Sequence, residues 1–160
     1  MILPTGRLRP SHRARSAWAI VAWSAEVNRH HRMACSTGML TVIDRNLASR
    51  SEHARWQAAI ALGELAQSAP DRIWPLVLKH GSRRHADVRM AIATCVLEHI
   101  LEYHFDAFFP IVADATRRNQ WFRDTSRSCW RMGQADVPRN ARRWRGLKRE
   151  LDEIDGEQER

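Results

Sequence analysis

Apolar positions in this chain recur with a helical period, and the helices themselves recur with a longer one. In SEHARWQAAIALGELAQSA (51–69), Ala54, Ala58, Ala61, Leu62 and Leu65 fall at i, i+4, i+7, i+8 and i+11, one continuous face of a helix. In DVRMAIATCVLEHILEYH (87–104), Val88, Ile92, Cys95, Val96 and Ile100 form the same stripe. Trp56 and Ile60 lie off the first stripe, which predicts a helix packed on more than one side. WFRDTSRSCWRMG (121–133) is a third, more polar copy.

A second pattern alternates with these helices. DRIWPLVLKHG (71–81) and DAFFPIVADAT (106–116) both read Asp, any residue, two large apolar residues, Pro, an aliphatic residue and Val, at an offset of 35 residues. Arg55, Arg89 and Arg123 step by 34, and the pairs Cys95/Cys129 and Glu64/Glu98 share that step. A period of this length means stacked supersecondary units, each too small to bury its apolar face alone. The unit reads as a short helix, a polar break (HGSRRHAD at 80–87, TRRNQ at 116–120) and a longer helix. Pro75 and Pro110 fit if Asp71 and Asp106 cap the short helices, because a proline is tolerated near a helix start. Gly81 and Gly133 suit C′ positions.

These observations predict an all-α chain, an α-solenoid of about three stacked helical hairpins over 39–134, plus a C-terminal helix. In 135–160, Trp144, Leu147, Leu151 and Ile154 recur at i, i+3, i+7 and i+10, an amphipathic stripe that predicts a helix docked across the last repeat. Residues 135–149 carry six positive charges against Asp136 and residues 150–160 carry one against six, so the helix opposes its own dipole and is weak alone. The other reading is a partly ordered tail that takes a partner helix or nucleic acid.

Charge alters the picture less than its total suggests. The formal net charge is +8, but residues 1–38 hold six arginines against Glu26, residues 39–134 hold 13 basic and 10 acidic groups, and 135–160 hold seven of each. The excess sits mainly on an N-terminal segment without the repeat pattern. Two readings of 1–38 stay open: a disordered, dispensable extension upstream of Met39, whose MLTVIDRNLAS begins the first helix, or a helix over 14–33 that caps the solenoid. SAWAIVAWSA (16–25) is short and weakly apolar for a signal sequence. Three cysteines, Cys35, Cys95 and Cys129, are odd in number and far apart, which suggests reduced thiols and a cytoplasmic protein. No apolar run approaches the ~20 residues of a membrane span.

A proline-bearing first helix, a polar turn and then Asp-Val-Arg-x-x-Ala opening a second helix resembles the HEAT repeat, in its short bacterial HEAT-like form. The likeness is best at 70–101, extends to 49–69 and 105–133, and covers about 60% of the chain. The third copy departs from it: Asp124-Thr125-Ser126-Arg127-Ser128 places polar residues where earlier copies are apolar, as a terminal repeat with a water-facing side does. The resemblance implies that Arg55, Arg89 and Arg123 form an inter-repeat ladder with acidic residues of the turns, Asp87 foremost and Glu52 second. A row of phosphate contacts is the functional alternative.

Candidate chemistry is sparse. Glu64, Glu98 and Glu102, with Gln57, Thr94 and His99 nearby, form an acidic strip on the second helices, which usually line a solenoid's concave face. The strip is either a groove for a basic peptide or helix, or a solvated helix face. Cys95 and His99 at i, i+4, with His85 and His104 not far off, begin a metal-like spacing. A closed site needs four ligands, however, and neither CxxC nor HExxH occurs. HRMAC, near His30, His31 and Cys35, is no stronger. GxSxG, a Gly-rich phosphate loop and paired carboxylates in a Gly-flanked turn are all missing from the sequence. The expectation is therefore a non-catalytic module without cofactor or metal, mediating protein–protein contact as a scaffold. The alternatives are a nucleic-acid-associated protein that uses its Arg-rich ends, and an enzyme of the HEAT-like alkylation repair class.

Overall fold

The computed structural model describes residues 36–158, and no strand occurs among the described residues. The two readings of residues 1–38, an extension or a helix over 14–33, fall almost wholly outside them. The first helix, α1 (Thr37–Leu47), starts two residues before Met39 because Ser36 caps it, accepting from the Met39 N–H at 3.2 Å. Ser51 caps α2 (Glu52–Gly63) in the same way, accepting from Ala54 N–H at 3.3 Å. α3 (Pro70–Gly81) opens on Pro70, whose missing N–H has no helical partner to lose. Asp71 therefore lies in the first turn and not at the cap, and Pro75 lies within the helix.

α4 (Ala86–Ile92) runs through a π-helical turn, Ala93–Leu97, into α5 (Glu98–Arg118). His104 interrupts α5 with φ −135° and ψ 37°, between the two stretches that the repeat separates. The unit boundary is thus a kink without a loop, and Asp106 follows it inside the resumed helix instead of capping. The side chain of Gln134 braces the kink: its Oε1 accepts from Phe105 N–H at 3.0 Å and its Nε2 donates to the Tyr103 carbonyl at 2.6 Å. One amide so serves backbone groups on both sides of the break. α6 (Gln120–Arg127), capped by Asn119, is shorter than the 121–133 stretch suggested. A 3-10 turn, Gly133–Asp136, leads to α7 (Pro138–Gln158).

Neither glycine expected at a helix C′ is one. Gly81 is the last residue of α3, and a Cβ there would stand 2.9 Å from the Phe122 ring. Gly133 follows no helix; its φ is 49°, and a Cβ would meet Glu102 Cγ at 2.6 Å. Close approach dictates the first, and approach plus a left-handed backbone the second.

α1 packs on α2, α3 on α4 and α5 on α6, while α2 also packs on α4 and the π turn, and α4 on α6. Leu47, Leu62, Ile73, Val77, Ile92, Leu97, Ile100, Phe105 and Phe122 are fully buried between these helices. Each stabilises by about 1.5–3 kcal/mol relative to exposure. Trp74 meets Phe108 and Phe122 edge-on, with ring centroids 5.8 and 5.9 Å away. The α7 stripe is buried at Trp144, Leu147 and Leu151, the last two against Ala113 and Phe109 of α5. The unfavourable dipole of α7 is offset by ion pairs to its neighbours: Arg143 with Asp106, Glu150 with Arg117, and Asp152 and Asp155 with Arg127.

α2 is packed on more than one side, against α1, α4 and the π turn with Trp56 partly buried, although Ile60 itself is 44% exposed. One expectation about faces is corrected. Thr125 and Ser126 do not meet water, because α6 packs between α5, α4 and α3 and their hydroxyls find partners there. Thr125 Oγ1 donates to the Gly81 carbonyl at 2.7 Å, and Ser126 Oγ pairs with Thr116 Oγ1 at 2.8 Å. No helix among the described residues is long and apolar enough to cross a membrane.

Candidate binding groove and the arginine ladder

The three periodic arginines occupy equivalent surroundings. Arg55 Nη1 donates to the Ser49 and Arg50 carbonyls, both at 2.9 Å, and Arg89 Nη1 donates to those of Arg83 and Arg84 at 2.8 and 2.7 Å. Arg123 reaches the Arg117 carbonyl at 3.5 Å. Each also meets one carboxylate from the following unit: Asp87 for Arg55, Asp124 for Arg89 at 3.4 Å, and Asp155 of α7 for Arg123. A guanidinium has enough donors, in a fixed fork, to bind its own turn and the next unit together. Arg89 also lies under the Trp121 ring, 4.9 Å from its centroid. Glu52 pairs with none of the three among the described residues. Asp124 and Asp155 escaped sequence reasoning: the first sits in a helix and not a turn, and the second lies outside the repeat.

The acidic strip does not form as a strip. Glu98 is 7% exposed and turns inward, where its Oε2 accepts from the Trp130 N–H at 2.9 Å. The π turn just before it accounts for this: one extra residue advances the following faces by about 100° relative to a plain helical wheel. Burial raises the Glu98 pKa above the usual carboxylate range, with the Trp130 N–H opposing. A raised carboxyl pKa contributes stability that is full below the unfolded value and is lost as pH rises through the folded one. Glu98→Gln keeps an acceptor for Trp130 and removes the charge. Its melting temperature relative to wild type is therefore expected to climb as pH is raised from acid to neutral. A difference that stays constant over that range, measured by thermal melting, would contradict the assignment.

What does assemble is a groove of about 300 Å³ lined by Ile60, Gly63, Glu64, Gln67, Thr94, Cys95, His99 and Tyr103. It brings Glu64, Thr94 and His99 together. Glu102 stands beside it, its Oε2 2.8 Å from His99 Nδ1, whereas exposed Gln57 lies outside the lining. Gly63 shapes the groove wall: any Cβ there would collide with the Cys95 carbonyl in the π turn.

Cys95 is a free thiol whose polar neighbour is Thr94 Oγ1 at 3.8 Å. His104 Nε2 donates to the Gln67 carbonyl at 2.8 Å. No group of three or more His, Cys, Asp or Glu is placed to hold a metal ion among the described residues. Burial pushes the Cys129 thiol far up, so it stays protonated.

The most buried histidine among the described residues, His80, carried no sequence signal. Its Nε2 lies 2.7 Å from Asp44 Oδ1, and Lys79 holds both Asp44 oxygens at 2.8 and 2.7 Å. Burial lowers the His80 pKa against the pull of Asp44, and the Lys79 hydrogen bond lowers that of Asp44. The trio joins the end of α3 to α1, and both shifts make this joint weaker in acid.

No protein-family model, curated protein or solved structure matches this chain.

Proposed function

We propose that the chain is a non-catalytic HEAT-like interaction module, a short solenoid of stacked hairpins that docks a segment of a protein partner in the groove between α2 and the π turn. The observation that supports this reading most is the content of the groove. Ile60 and Tyr103 are large, exposed apolar side chains, and Glu64 and Gln67 are exposed polar groups on its α2 side. Half-exposed apolar anchors with a few polar groups around them are what a docked peptide or helix needs. With Glu98 inward and Glu102 held by His99, Glu64 is the carboxylate of the groove without an ion pair among the described residues, so the favoured partner segment is amphipathic with one basic residue, not a strongly basic stretch.

The repeated Arg55, Arg89 and Arg123 contacts support the stacking half of the reading, since each joins one unit to the next. The test is a nuclease-treated pull-down with the full chain. Glu64→Lys combined with Ile60→Asp, both at exposed positions, is expected to leave thermal melting unchanged and to remove the captured protein. Capture that survives this double change, with the fold intact, would overturn the groove as the docking site.

A further inference from the structure

A second cleft shares no residue with the groove. It lies where the segment after α6 meets α7, with a volume of about 560 Å³, and is lined by Arg127, Arg131, Arg145, Lys148, Trp130 and Trp144, with Ser128 and Cys129. Among the described residues no carboxylate lines it. Its cations are unequally engaged. Arg127 is held by Asp152 and Asp155, Arg131 reaches Asp136 only at 3.8 Å, and Lys148 donates to the Arg127 carbonyl at 3.3 Å. Arg145 is exposed and forms no ion pair among the described residues. Arg142 and Arg149 share its face of α7 at i−3 and i+4, both exposed, so positive charge continues along the helix from the cleft.

The two tryptophans give the cleft its character. Trp130 is 76% exposed while its backbone N–H is tied to Glu98, so a flat indole is held in solvent by a fixed segment. Trp144 is 3% exposed, and its indole N–H has no hydrogen-bond partner among the described residues. An exposed indole forgoes the gain of burial, and a ligand with an aromatic face would supply that gain while its anionic oxygens meet the cations around it.

We propose that this cleft binds single-stranded nucleic acid, with Trp130 stacking on a base and Arg131, Arg145 and Lys148 meeting neighbouring phosphates. A cationic groove with an aromatic platform is the physical recipe for such binding, and the platform needs a base face that a duplex keeps stacked inside. The site is independent of the groove proposed for protein docking.

The experiment is fluorescence anisotropy of labelled oligothymidylate with the full chain. Trp130→Ala is expected to weaken binding about tenfold, as loss of one stacked base does. Arg145→Glu should weaken it by at least about fivefold through a phosphate contact. Both side chains are exposed, so melting should not change. Arg72→Glu, an exposed change of equal charge on α3, is the control and should shift affinity by less than about twofold. Three outcomes would overturn the proposal: no binding by wild type; equal loss in Arg72→Glu and Arg145→Glu with none in Trp130→Ala; or displacement by duplex DNA or polyglutamate as effective as by oligothymidylate.

Discussion

Replacing Gly63 by alanine is expected to lower the melting temperature by about 6–12 °C, the equivalent of roughly 3 kcal/mol in a chain of this size. The added Cβ would fall inside the Cys95 carbonyl oxygen, so the obstacle is backbone and cannot rotate away. Either α2 moves off the π turn or the π turn reforms, and both disturb Ala59, Leu62, Val96 and Leu97, all fully buried. Gly146→Ala is the matched control: a Cβ there has nothing within 4 Å, and Gly146 lies inside α7. That variant should gain up to about 1 kcal/mol from helix propensity. Equal melting of the two variants would show that the α2–π contact is not close.

Asp155→Ala should cost about 3 kcal/mol, more than Asp124→Ala, although both remove one carboxylate from the arginine ladder. The difference lies in what each arginine keeps. Arg123 is 4% exposed, and without Asp155 it has only the Arg117 carbonyl, at 3.5 Å. Arg89 without Asp124 retains two carbonyls within 2.8 Å and the Trp121 ring. A guanidinium left buried and underbonded is costly, whereas one still bonded is not. Urea melts of the two variants decide the order, and a larger loss in Asp124→Ala would contradict it.

Much of the helical plan could be read from the residues alone, because a helix face repeats every few positions and the units repeat every 34 or 35. The stripe from Val88 to Ile100 and the equivalent positions of Arg55, Arg89 and Arg123 needed no coordinates. Cap positions were less legible. Asp71 and Pro70 both suit a helix start, and the helix begins at Pro70, two residues earlier than an Asp71 cap would place it. Faces beyond the π turn were legible only in part: Ile100 keeps its place in the buried stripe, whereas a wheel drawn at constant pitch puts Glu98 beside Glu64 and the π turn sends it inward. Gly63, Gln134 and His80 carry no pattern because their roles depend on an element distant in sequence. The cleft beside Trp130 was hidden for the same reason, since its cations come from α6, the following loop and α7.

The hydroxyls inside α6 bear on register. Alanine and leucine surfaces tolerate sliding: shift one helix by a turn, about 5.4 Å, and most apolar contacts find substitutes. Thr125 on the Gly81 carbonyl and Ser126 on Thr116 do not. Each would lose its acceptor or donor in a slipped arrangement, at about 1–3 kcal/mol apiece. These two polar pegs add little to the depth of the native energy well, because water would bond the same groups in the unfolded chain. Their effect is to raise the neighbouring wells, so that α6 has one seat between α3 and α5 and α7 always meets the same surface.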